Sequence, residues 1–367
     1  HEALQYLQDP ILPVRAHGLH LLTRLVSRVA RNHSAKCYGD ELDHALIPEI
    51  FDLFLHAIQD DESFLYLNAV QGLAQMAMSW RDAVLRPLMA MYVGGDKTQD
   101  GMSHALSYGQ ELTQRETDQR LRIGEAILQV LQHLGEAVVS ELDRIVPPLL
   151  TAVRNPLFSA TLRSSFISIL GTCVEIAPTA LAADRSSVHM VHMCTELIQA
   201  TTERRAIRQR SRVRASVQGV GAGGEVTERS LDDEDEEEAM WEREATSGTD
   251  RDVHRPQLRR AALLLLLMLL RATQEQLDDY RESCERDLDD IDAPLSALRL
   301  PGGGVLPDVH GRAKPTLPPL LVPVDVLGSV MPVVTYMAQE EADNVVRVQA
   351  QDCIDHIRLV ELAYIGL

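Results

Sequence analysis

The sequence predicts an all-α protein, a HEAT/armadillo-type α-solenoid of stacked helical hairpins with long disordered insertions between helices. Three observations predict it. A phrase recurs along the chain: an acidic or small polar turn, an aliphatic residue, usually an Arg, then small residues opening an apolar helix. It reads Asp9-Pro10 with Val14-Arg15 and Gly18, then Asp60-Asp61 with Leu65-Tyr66 and Ala69. Looser copies follow at Asn155-Pro156 with Leu162-Arg163, at Pro256 with Leu258-Arg259, and at Glu341 with Val346-Arg347. Internal repetition on this scale is the mark of stacked helical hairpins. Second, apolar residues after each copy recur at helical spacing. Third, aromatics make up only 4% of a chain that is 45% hydrophobic, a balance that suits close helix-on-helix packing.

The first 92 residues carry two hairpins in this reading. Val14, Gly18, Leu21, Leu22 and Leu25 form one face of the first inner helix, and Leu65, Ala69, Leu73 and Met76 that of the second. Between them Ile47, Ile50, Phe51, Phe54, Leu55 and Ile58 outline an outer helix, with Pro48 in its first turn, where a missing N–H costs least. Residues 94–117 are polar and hold Gly94, Gly95, Gly101 and Gly109, which predicts a surface loop. Helices resume over Leu121–Leu134, Ile145–Val153, with Pro147 and Pro148 placed in its first turn, Phe166–Val174 and Val188–Ile198.

The partner of that last helix begins only near Leu258. The intervening residues 203–256 combine an Arg cluster, a Gly-rich patch and an acidic block, too polar to bury enough apolar surface to offset the entropy of ordering. Such an insertion is tolerated, because lengthening a surface loop costs only about 0.6 kcal/mol per doubling. The expected organisation is a solenoid over 1–202, an insertion over 203–256 and a solenoid helix over 257–277. An acidic, then Pro/Gly-rich insertion follows over 278–323, and a terminal hairpin over 324–367.

A formal net charge of −19 disfavours nucleic acid as a partner, since binding to phosphates gains from releasing counterions onto a basic surface. The Leu-rich run Ala261–Leu270 is far short of the roughly 20 apolar residues a membrane span requires, and Arg259, Arg260 and Arg271 bracket it. It reads as a helix buried on all sides of a soluble protein. Cys37, Cys173, Cys194, Cys284 and Cys353 form no CxxC pair and read as reduced, mostly core-filling thiols of an intracellular protein. The chain opens on His1 without a targeting peptide, as expected of the C-terminal portion of something longer.

Catalytic signals are weak. Gly219–Gly224 formally contains GxGxxG, but an Arg-rich tract precedes it and acids follow, where a dinucleotide site needs a strand before and a helix after. His189, His192 and Cys194 lie close together without a further cluster to complete a tetrahedral metal set. Neither GxSxG nor a P-loop occurs. The expectation is no enzyme, with no catalytic, cofactor-binding or metal residues and no small-molecule substrate.

The recurring Arg has a structural explanation instead. Asp9 precedes Arg15, Asp60 precedes Tyr66 and Glu341 precedes Arg347 at one common spacing. These residues, with Arg163 and Arg259, are candidates for a ladder in which each Arg pairs with an acid in the turn of its own or the next repeat. Replacing Arg163 or Arg347 with Ala is then expected to lower stability. Partner-binding candidates are Arg204, Arg205, Arg208 and Arg210, and the block Asp232, Asp233, Glu234, Asp235, Glu236, Glu237 and Glu238, which could mimic nucleic acid for a basic partner.

At residues 9–22 (DPILPVRAHGLHLL) and 60–74 (DDESFLYLNAVQGLA) the chain resembles the C-terminal region of the Transport and Golgi organization protein 6 family, whose fungal members are RNA polymerase II nuclear import and assembly factors. The resemblance continues at Arg122–Ala126, His133–Glu136, Leu258–Ala262 (LRRAA) and Asn344–Ala350 (NVVRVQA), in the family's order, and leaves out both insertions. It implies a karyopherin-like adaptor that binds RNA polymerase II subunits, assembly cochaperones and nucleoporins, in the cytoplasm with shuttling to the nucleus. The family's metazoan name points instead to a membrane-traffic scaffold in protein secretion and Golgi organisation.

Overall fold

The computed structural model describes residues 2–34, 46–60, 62–94, 112–199, 256–292 and 317–366. Every regular element among them is a helix. In chain order these are α1 (Glu2–Leu7), α2 (Leu12–Ser34), α3 (Leu46–Ile58), α4 (Ser63–Ser79), α5 (Arg81–Val93) and α6 (Gln114–Leu134). A 3₁₀ segment, Gly135–Glu141, leads into α7 (Leu142–Arg154), α8 (Ala160–Ile176), α9 (Pro178–Ala183) and α10 (186–199). The last three are α11 (Pro256–Asp292), α12 (Val324–Glu340) and α13 (Asn344–Ile365).

The helices form two rows. In the first, α2, α4, α6, α8, α11 and α13 each pack on the next. The second flanks it: α1 lies on α2, α3 on α4, α5 on α6, α7 on α8 and α12 on α13, with α3 touching α5 and α5 touching α7. One hydrophobic core runs between the rows, from Leu19 and Phe54 through Tyr92, Ile127 and Phe166 to Leu266, Val334 and Ile357.

Local signals start the helices. Thr113 and Glu116 form a reciprocal capping box at α6. Ser159 caps α8 by accepting from Leu162 N at 3.3 Å, and Asp343 caps α13 by accepting from Val345 N at 2.9 Å and Val346 N at 3.1 Å. Gly94, at φ 81°, ends α5 with its N–H on Ala90 O.

Small residues let the rows close. A Cβ built on Gly72 would lie 2.2 Å from the Phe54 ring, and one on Gly124 would lie 2.6 Å from the Tyr92 ring, so each outer-row aromatic lies directly over an inner-row glycine. Tyr92 packs edge-on against Phe166, centroids 4.7 Å apart. Its hydroxyl shares a 2.7 Å hydrogen bond with Ser165 Oγ.

Several sequence expectations are corrected. α5 is a helix within the first 92 residues that the two expected hairpins did not include: Val84, Leu85, Leu88, Met89 and Tyr92 are all buried, but only Trp80 separates α5 from α4, with no Gly or Pro to mark the break. α7 begins at Leu142, because the 3₁₀ turn hands over directly, so Pro147 and Pro148 lie inside the helix and not in its first turn. The Leu run of α11 is not buried on all sides. Leu264 is 49% exposed, while Leu263, Leu265, Leu266, Leu269 and Leu270 are buried. α11 continues to Asp292, so the segment expected to leave the stack at 278 is helical for a further stretch, and Leu321 and Val322 return to the core before 323. At 37 residues α11 is about 55 Å long.

The first insertion, up to residue 255, and the second from 293 to 316 lie outside the described residues, as does Cys37. Cys173, Cys194 and Cys353 are buried thiols and Cys284 is partly exposed. No described helix is long and apolar enough to cross a membrane.

Candidate functional site

The candidate site is the line of polar side chains that fixes the inner row in register, because no reactive cluster is assembled elsewhere among the described residues. No group of three metal-ligating side chains occurs among them. His189 and His192 point to solvent, whereas Cys194 is fully buried and its thiol is pushed up by burial, so the three do not converge. A cleft of about 340 Å³ opens between α5 and α7, lined by Leu85, Met89, Val93, Ile145 and Pro148, with Arg86, Glu141 and Arg144 among its polar lining. It offers neither a nucleophile nor a pair of facing carboxylates.

The aliphatic–Arg phrase falls in the first turn of four inner helices, α2, α8, α11 and α13. Arg15 Nη1, in α2, donates to Asp60 Oδ2 at 3.2 Å. Asp60 sits in the turn before α4, so the pair joins one helix of the row to the turn that opens the next. Asp9, the acid expected within the same repeat, instead accepts from Ile11 N at 2.8 Å and shapes its own turn. Tyr66 occupies the Arg position in α4. Burial raises its phenol's pKa, and the Glu125 carboxylate on α6 raises it further.

The register repeats at the far end of the row. Arg259 Nη1 donates to Glu341 Oε2 at 2.6 Å with both side chains almost wholly buried. Glu341 Oε1 accepts from Ala342 N at 3.0 Å, so the carboxylate also shapes the turn before α13. Arg260 pairs with Asp343 beside it. That hydrogen bond is the leading reason the Asp343 carboxyl is held below its ordinary value.

Two ladder candidates behave differently. Arg163, 4% exposed, donates Nε to Val153 O at 2.6 Å and so ties α8 to the end of α7. Arg347 reaches Asn344 of its own helix, not Glu341. The common spacing therefore marks equivalent positions, while two ion pairs, Arg15–Asp60 and Arg259–Glu341, run forward to the next turn.

The sequence reading missed Arg122 as part of this set. It lies two turns into α6, where the others stand in the first turn of their helices, and donates Nη1 to Asp60 O at 2.8 Å and Gln59 O at 3.2 Å, backwards along the row. Its signal was present in Leu121-Arg122, but no acidic turn directly precedes that copy. Arg120 was also missed: it lies over the Phe158 ring at 5.5 Å and donates to Tyr92 O. The remaining candidates, Arg204, Arg205, Arg208, Arg210 and Asp232 to Glu238, lie outside the described residues, as does the GxGxxG segment.

Fold and polar side chains together define an all-helical stack whose buried charges hold helices together. Comparison with known proteins then gives its relatives. Residues 1–137 match the family model described as "Required for nuclear transport of RNA pol II C-terminus 1". The chain is 22% identical over 179 residues to the RNA polymerase II assembly factor RTP1 of Saccharomyces cerevisiae, and 22% identical over 154 residues to the RNA polymerase II assembly factor rtp1 of Schizosaccharomyces pombe. These matches cover 48% and 42% of this chain but only 15% and 16% of the two relatives. No solved structure matches significantly. Over these stretches the chain is similar to fungal proteins named as RNA polymerase II assembly factors, in line with the resemblance that its repeated phrases carry.

Proposed function

We propose that the chain is part of a protein-binding scaffold of the HEAT/armadillo solenoid type that serves RNA polymerase II assembly and nuclear import. The observation that carries this reading is the match of residues 1–137 to the nuclear-transport family model, with two assembly factors among the relatives. The two-row packing supports it: a row in which each helix meets mainly its neighbours presents a long surface to a protein partner. The partners in this reading are polymerase II subunits, assembly cochaperones and nucleoporins, met in the cytoplasm with shuttling to the nucleus. The chain's role is non-enzymatic, and its net charge of −19 disfavours a direct role on nucleic acid.

The proposed organisation keeps 1–202, 257–292 and 321–367 in the stack, with insertions at 203–256 and between Asp292 and Leu321. Affinity capture of the full-length protein with mass spectrometry tests the function. Recovery of polymerase II subunits with cochaperones is the expected result. Recovery of coat or tethering proteins in their place would overturn it in favour of membrane traffic.

A further inference from the structure

Polar contacts fasten α13 along α11 at three levels. At its start Arg259 and Arg260 hold Glu341 and Asp343, and near its end Arg281 donates to Ala363 O at 3.4 Å. Between them His356 faces two residues of α11. Arg271 Nε lies 3.3 Å from its Nε2, and Gln274 Oε1 lies 3.2 Å from its Nδ1. His356 is the only histidine of either helix.

One donor fixes the protons on this ring. A guanidinium N–H can only donate, so Nε2 accepts, and it does so only as an unprotonated nitrogen. The neutral imidazole then carries its proton on Nδ1, and that N–H needs an acceptor, which Gln274 Oε1 supplies. Both contacts therefore belong to neutral His356. A proton added from solvent at Nε2 sets a ring N–H against the Arg271 N–H, and two positive charges then stand where a hydrogen bond stood.

We propose that His356 is a pH-sensitive latch in the joint between α11 and α13: neutral, it ties the middle of α13 to Arg271 and Gln274, and protonated it pushes against Arg271 and lets that stretch of α13 open. The surroundings act in the same direction. Burial first, and Arg271 second, hold the imidazole below its ordinary 6.5, against the pull of Asp352 and Asp355 on its own helix. α12, which also packs on α13, carries charge only at Asp325 and Glu340, near its two ends. The folded chain thus binds this proton less tightly than the unfolded chain. The latch's contribution is whole above about pH 6.5 and is lost as pH falls through the lower folded value. Arg271 is exposed, so solvent screens the repulsion, and the buried Arg259–Glu341 pair keeps the start of α13 in place. The opening is local.

Hydrogen–deuterium exchange of the full-length protein, read by mass spectrometry, tests both halves. Exchange at the imidazole Cε1 carbon, followed across pH, gives the titration midpoint of His356. It should lie below 6.5 and rise in Arg271→Gln. Backbone exchange over residues 352–360, corrected for its intrinsic pH dependence, should report opening about two- to fivefold more frequent at pH 5.5 than at pH 7.5, the size of a screened charge contact. α8, which has no histidine, should not change. His356→Gln, neutral at both pH values, should lose the difference, and thermal melting verifies that both variants fold. A midpoint at or above 6.5, or one that Arg271→Gln leaves unmoved, overturns the proposal. So does equal opening at the two pH values, a change shared by α8, or a difference that survives in His356→Gln.

Discussion

Arg259 and Glu341, 82 residues apart in sequence, form a 2.6 Å ion pair with both side chains almost fully buried. Such a pair gains little over an apolar replacement but is expensive to break on one side. Arg259→Met or Glu341→Leu alone should destabilise the protein by about 3–5 kcal/mol, whereas the double variant should recover most of the loss. Urea unfolding of the four proteins measures the coupling, and additive losses would count against it.

Arg163→Ala should lower stability, because it leaves the buried Val153 carbonyl without its 2.6 Å donor, a loss of about 1–3 kcal/mol. Arg347→Ala, confined to a contact with Asn344, should leave the melting temperature within error. Equal losses at both positions would show that the ladder closes within a repeat after all.

Gly72→Ala pushes a methyl into the Phe54 ring, which lies 2.2 Å from the Cβ position. Overpacking of this kind costs about 1–3 kcal/mol. Adding Phe54→Leu should restore part of the stability by making room. A Gly72→Ala variant as stable as the parent would mean that the two rows slide apart freely here.

Burial pushes the Cys173 and Cys353 thiols up to about 12, from an ordinary 9.0. The folded chain therefore holds these protons more tightly than the unfolded chain. The stabilisation is whole below about pH 9 and is lost as pH rises through the native values near 12. Melting temperature should fall over that alkaline window, and less steeply in a Cys173→Ala/Cys353→Ala variant. At pH 8 iodoacetamide should label the partly exposed Cys284 well before the buried thiols, since the thiolate is the reactive form. Prompt labelling of Cys173 in the folded protein would contradict this.

Helical class and most of the inner row were legible in the sequence, because the aliphatic–Arg phrase recurs in the first turn of four inner helices and a one-faced apolar period follows it. α5 was not, since it abuts α4 across a single residue and its apolar side chains continue an unbroken helical pattern. The pairing of the charges was half legible. Spacing named Arg15, Asp60, Arg259 and Glu341, yet suggested equally that each Arg could serve its own turn. Direction along the row depends on which turn lies beside which helix in space, and Asp9 and Asp60 look alike until α2 and α4 are packed. Arg122 escaped for a related reason: its partners are the backbone carbonyls of Gln59 and Asp60, which carry no side-chain signature.

The Asp60 turn works as a rivet. Its carboxylate is held by Arg15 from α2 and its carbonyl by Arg122 from α6, so one turn clamps the helices on either side of α4. A stack fastened through three consecutive members resists flexing there, and changes in curvature have to be taken up elsewhere along the row. The segment that matches the nuclear-transport family model is thereby also a stiff one, a splint against which the rest of the molecule can bend.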